Sequence, residues 1–191
     1  KVISGEALVS LAHGEPSSRY ELSHVGATAQ LKGGNWQVSG DKAVVLGGAS
    51  ATHFVMSART SGEINDETGI SLFLVERSGA VDIRDYGTVD GYPAAEIRFS
   101  DAAAELLGEK GHGFGLVEKA HALAITAVCA EAFGAMESAK DLTVEYMHTR
   151  KQFGVIIGKF QALQHRMADV LIELEQMRSG LINAAAHLDD P

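Results

Sequence analysis

Arg150, Gln152, Phe153 and Gln161 are the side chains of this sequence whose types and spacing best suit chemistry on a nucleotide. Arg150 is a planar, permanently charged donor of the kind that grips a pyrophosphate through paired hydrogen bonds. Gln152 and Gln161 can each donate and accept, which matches an adenine or ribose edge. Phe153 adds an aromatic ring between them. On spacing alone, Arg150-Lys-Gln-Phe-Gly154 has a plainer reading as the solvated basic end of a helix, where the macrodipole favours cations.

Other groups carry less. Gly111-His-Gly-Phe-Gly115 has the look of a dinucleotide loop, but such a loop must follow a strand inside a βαβ unit. None precedes it, so a flexible hinge is the expectation. The eight histidines show no metal-ligand spacing, so no metal site is expected. No Gly-x-Ser-x-Gly nucleophile elbow is present. Cys129 is the single cysteine. It can form no internal disulfide and fits a reducing, cytoplasmic setting. Its alanine-rich surroundings suggest a small buried apolar residue.

The elements that must position these groups fall into two halves of different period. The chain has 191 residues, 46% hydrophobic and 21% charged, with a net charge of −9. That composition is globular, and the acidic balance argues against a nucleic-acid binder. Charge and glycine interrupt every apolar run before about 18 residues, so no membrane span is expected. No signal peptide is expected, since residues 1–5 read as the interior of a strand. Up to about residue 107, short Val, Ile, Leu and Phe runs alternate with turn residues. Trp36–Gly48 reads as strand, Ser39-Gly-Asp turn, strand; His53–Arg59, Ile70–Glu76, Val81–Tyr86 and Ala95–Phe99 read as further strands. Residues 60–69 read as a mobile hairpin loop. Residues 113–148 hold no proline and form one long Ala-rich helical pattern. A second helix opens near Lys159, with Leu163, Met167, Val170, Leu171 and Leu174 on one stripe. The fold class is α+β: a small antiparallel β-barrel or sandwich, then long helices of an incomplete bundle.

The run from Tyr146 to Asp169 resembles the signature of the acyl-CoA dehydrogenase family, R-x-Q-F-G-x-x-I-x-x-F-Q with A-[DE] six residues further on. The similarity reaches back to Gly14-Glu15-Pro16. It implies a middle β-domain over 1–108 and the first two helices of a C-terminal bundle over 109–191, in a chain that is a fragment. It also implies FAD as cofactor, an acyl-CoA thioester as substrate, an electron-acceptor protein, and a homo- or hetero-oligomer of related subunits. In that family a carboxylate removes the α-proton and the β-hydride passes to flavin N5. Arg150, Gln152, Phe153 and Gln161 fall on positions that reach across the oligomer interface to the adenosine and pyrophosphate end of a neighbour's FAD.

Departures from the family pattern cluster at the flavin ring. A Thr-Glu-Pro-Gly element becomes Gly14-Glu15-Pro16-Ser17, without the threonine hydroxyl. A Lys-x-Trp-Ile-Thr-Asn element becomes Lys42-Ala-Val-Val-Leu-Gly47, apolar at Val44 and Leu46. The arginine or catalytic glutamate positions of the first long helix fall on Ile125 and Ala124, so no catalytic residue is assigned. The expectation is a subunit that lends nucleotide-end contacts to a partner's FAD, as in heteromeric actinobacterial members with one degenerate subunit. The alternative is a non-catalytic scaffold subunit of the same fold that has lost flavin.

Overall fold

A computed structural model describes residues 1–188 and divides them into two compact units, with the first ending at Glu118 and the second starting at Lys119. The first unit is a sheet of seven strands. They are β1 (Val9–Ala12), β2 (Thr28–Lys32), β3 (Asn35–Leu46), β4 (His53–Arg59), β5 (Ile70–Glu76), β6 (Val81–Gly87) and β7 (Pro93–Leu107). Antiparallel pairs run β2–β3, β3–β7, β7–β5 and β5–β4, and a single parallel pair, Thr28 with Arg59, closes the ring. Closure removes most exposed strand edges. β1 lies parallel to the first half of β4, and β6 pairs with the first half of β7. The barrel is therefore mainly antiparallel, as expected, with two parallel contacts that local patterns do not reveal.

Inward residues make a continuous core that includes Val38, Val45, Phe54, Met56, Ile70, Phe73, Val75, Ile97 and Phe99. Phe54 and Phe99 meet edge to face at 5.7 Å, and Trp36 tilts on Phe73 at 5.3 Å.

Three readings of this half need correction. Residues 1–5 form a turn closed by Gly5 N–H on Val2 O (3.0 Å), not a strand. Ser39-Gly-Asp is not a turn: β3 runs unbroken through it. The glycine is there because a Cβ at Gly40 would lie 2.5 Å from the Ala27 Cβ. Residues 60–69 are gathered around one buried guanidinium. Arg59 donates to the carbonyls of Ser23, Val25, Ser61, Ile64, Asp66 and Thr68. The Gly111–Gly113 segment is likewise tied down, since Gly111 N–H donates to Ser71 Oγ (2.8 Å) and Gly113 N–H to Ile70 O (2.8 Å).

The second unit holds most of α1 (Phe114–Thr149) and α2 (Gln161–Ala186). Arg178 of α2 donates to Glu137 of α1 at 2.6 Å and covers the Phe133 ring at 5.0 Å. Leu174 of α2 is buried. Cys129, expected to be buried, is exposed. The reason is general: α1 carries small and apolar residues on every side, and most of them are open to solvent. The expectation about membrane spans also changes. By length and composition alone α1 is apolar enough to cross a membrane, despite Glu131 and Gly134. Helices made for close packing in bundles pass the same test.

Candidate cofactor-binding site

The connection between α1 and α2 is a miniature β-hairpin, which the sequence pattern did not disclose. Arg150 N–H donates to Tyr146 O (2.8 Å) as α1 ends, and Arg150 O accepts from Ile157 N–H (2.9 Å). β8 (Lys151–Gln152) then pairs with β9 (Val155–Ile156). Two residues remain for the turn, Phe153 with φ 54° and Gly154 with φ 78°. A two-residue hairpin loop of this hand needs positive φ at both positions. Glycine accepts that freely, whereas a residue with a Cβ loses roughly 1–2 kcal/mol. Phe153 bears this strain while 91% exposed.

A 3₁₀ turn at Ile157–Lys159 leads into α2. Glycine is required at 158, because a Cβ there would stand 2.8 Å from Met147 O. Gln164 Nε2 donates to Gly158 O (2.8 Å), closing the turn. Phe160 meets Phe153 edge to face, ring centres 6.3 Å apart. Phe160 is the N-cap of α2 and offers no side-chain cap, and the first turn holds no acidic residue. The positive end of the helix is thus left for an outside anion.

The four expected site residues are brought onto this one exposed feature. Arg150 and Gln152 sit at the start of the hairpin, Phe153 at its tip and Gln161 at the first turn of α2, all solvent-accessible. A cation, two amides, an aromatic face and an uncapped helix end form a donor set that fits the nucleotide end of a dinucleotide cofactor. Replacing Phe153 by glycine should change stability by less than about 1 kcal/mol, since the strain released offsets the ring pair lost. Thermal melting checks this; a drop well beyond that would mean Phe153 is a packing residue.

The other candidate elements meet inside the first unit around a group that pattern reading passed over. Lys42 is fully buried. Its Nζ donates to Glu15 Oε1 (2.8 Å), His13 O (3.0 Å) and Ser57 Oγ (3.2 Å). Glu15 in turn accepts from the backbone N–H groups of Gly26 (2.8 Å) and Ala27 (2.9 Å). Burial pulls the Lys42 ammonium down to about 8 against the raising effect of Glu15. Burial by itself raises the Glu15 carboxyl, but Lys42 and the two N–H groups outweigh it and hold the group below its ordinary value. The signal was a lysine in phase with the inward Val38 of the same strand.

Val44 and Leu46 point outward, 59% and 63% exposed. A bulge turns them there. From Lys42 to Val45 β3 advances three residues while its partner advances two, from Ile97 to Ala95, and the extra residue Val44 is left-handed (φ 53°). Tyr86 Oη donates to Glu96 Oε1 (3.1 Å). The edge formed by Gly14, Val44 and Leu46 offers no side-chain hydrogen-bond donor. Ala124 and Ile125 lie exposed on α1 and supply no acid or base.

Two family profiles account for nearly the whole chain. "Acyl-CoA dehydrogenase, middle domain" matches residues 10–102, and "Acyl-CoA dehydrogenase, C-terminal domain" matches residues 97–191. The chain belongs to the acyl-CoA dehydrogenase family.

Mitochondrial isovaleryl-CoA dehydrogenase of Pongo abelii is 29% identical, aligned over 100% of this chain and 47% of its own length. The crystal structure of an acyl-CoA dehydrogenase from Geobacillus kaustophilus superposes with a TM-score of 0.86 at 28% identity, covering 97% of this chain and 51% of that one. PigA, solved with FAD and proline, gives a TM-score of 0.90 at 27% identity over 98% of this chain and 51% of that one. The chain spans about half the length of the relatives it matches. Within the acyl-CoA dehydrogenase fold, the bulge of β3 at Val44 and the α1–α2 hairpin at Phe153 both depart from plain barrel and helix geometry.

Proposed function

We propose that this chain is part of an enzyme that removes two hydrogens from the α,β-position of an acyl-CoA thioester, with FAD as the acceptor. We further infer that its hairpin binds the adenosine and pyrophosphate end of an FAD whose ring is held by a partner subunit. The observation that carries the reading is Phe153, strained and exposed between Arg150, Gln152 and the uncapped start of α2. Family membership supports FAD and the reaction class, and a related structure is described as an FAD complex.

FAD, when bound, supplies the hydride acceptor. The chain's own residues would bind and orient it. Arg150 would pair with pyrophosphate oxygens, Gln152 and Gln161 would meet adenine or ribose polar edges, and Phe153 would lie against an apolar face. The β-domain edge at Gly14, Val44 and Leu46 would leave polar ring atoms unmatched, at about 1–3 kcal/mol each. That mismatch is why the ring is assigned to a partner, along with the carboxylate that takes the α-proton. Reoxidation of the reduced cofactor then falls to an electron-acceptor protein.

The test is the visible flavin spectrum of the full-length protein, purified alone and then co-expressed with a related subunit. Flavin retained only by the co-expressed complex is the expected result. One flavin per chain in the protein alone would overturn the shared site and leave an ordinary homo-oligomeric dehydrogenase.

A further inference from the structure

Lys42 presents a match that a merely space-filling lysine would not need. An ammonium has three N–H donors, and here they meet three different acceptors: a carbonyl, a carboxylate and a hydroxyl. The acceptors come from two elements, His13 and Glu15 from the segment after β1 and Ser57 from β4, while Lys42 itself belongs to β3. Ser57 Oγ also shares a hydrogen bond with His13 Nδ1, 2.8 Å away. The main chain repeats the tie, since Ala43 N–H donates to Gly14 O (2.8 Å). The next residue is the left-handed Val44, where β3 bulges and turns its side chains outward.

We propose that Lys42 is a positioning residue, whose three donors lock His13–Pro16 and the Val44 bulge into one preset edge of the β-domain. The surface of that edge has lost its side-chain donors, so its shape is set from beneath, by the buried ammonium. The inference deepens the flavin reading and rests on it only for the identity of the group that lies along the edge. Stability is not the reason to keep such a pair. A buried ion pair is often matched or bettered by apolar residues of similar volume, and what it adds is a specific arrangement.

Charged groups approach Lys42 from two sides. Glu15 is in contact, and Arg59 at the end of β4 is electrostatically coupled to Glu15. On the other side a cleft of about 350 Å³ brings Asp41, Asp82, Arg84, Glu96 and Arg98 near its stem.

The experiment compares full-length wild-type protein with the double substitution Lys42→Met/Glu15→Leu, without added cofactor, by hydrogen exchange and thermal melting. The expected result is a melting temperature equal to or above wild type at pH 7. Amide exchange at Gly26, Ala27 and Ala43 should nevertheless be about tenfold faster or more, with Met56 unchanged. Wild-type protection at those three amides in the variant would overturn the proposal. A pH series gives a second arm. Lys42 holds its proton to about 8 in the fold and to the ordinary 10.5 when unfolded. Between those values the unfolded chain binds more protons, so wild type should gain stability relative to the double variant as pH rises through that window. Neither arm needs flavin, so failure here is distinct from failure of the cofactor reading.

Discussion

FAD is expected to dissociate from the assembled enzyme when Arg150 is replaced by alanine. A hydrogen bond to a charged group contributes about 1.5–3 kcal/mol, which corresponds to roughly a ten- to hundredfold rise in the dissociation constant. The fold itself should not suffer. Arg150 is exposed, and only its backbone takes part in the hairpin, through Tyr146 O and Ile157 N. Flavin absorbance per complex after gel filtration reads the first effect, and the melting temperature of the apoprotein reads the second. Arg150→Lys should recover part of the retention, since a point charge keeps the attraction but not the planar fork. Unchanged flavin content in the alanine variant would sink the hairpin as a cofactor site.

Lys42→Met on its own should be the most damaging single change in the β-domain, costing about 3–5 kcal/mol. It leaves the Glu15 carboxylate, 9% exposed, with two backbone N–H groups but no counter-charge. Urea unfolding should show a lowered midpoint with an unchanged slope, because the surface exposed on unfolding is the same. The contrast with the double substitution is the informative part. Removing one partner strands a charge, whereas removing both removes the need for it. A single variant that unfolds at the wild-type midpoint would mean that Glu15 is hydrated in the fold or takes up a proton at little cost.

Much of this protein was legible before any tertiary structure. Short runs of strand-forming residues marked His53–Arg59 and Ile70–Glu76, strict alternation marked Val81–Tyr86 and Ala95–Phe99, and each lies in a strand. The switch to a 3.6 period marked α1 and α2 to within two residues at their starts. The string Arg150-Lys-Gln-Phe-Gly154 identified the family, and with it the α+β class.

What the pattern could not carry depended on partners distant in sequence. Gly40 looked like a turn because glycine is the usual turn residue; only the approach of Ala27 makes it a strand glycine. Residues 60–69 looked free because a polar run carries no packing signal; Arg59 holds four of its carbonyls together with those of Ser23 and Val25, which lie far away in sequence. Cys129 looked buried because alanine-rich helices pack, but packing needs neighbours that the described residues do not supply. The decisive case is β3. Strict alternation from Val38 through Lys42 would turn Val44 inward. One extra residue in left-handed conformation shifts the phase, so that Val45 enters the core and Val44 and Leu46 face out. Sequence determined which donors this chain can offer a nucleotide, because residue types fix the available groups. The tertiary structure decided where they point, because a bulge and a left-handed Phe153 are set by long-range pairing and turn geometry, which no local periodicity encodes.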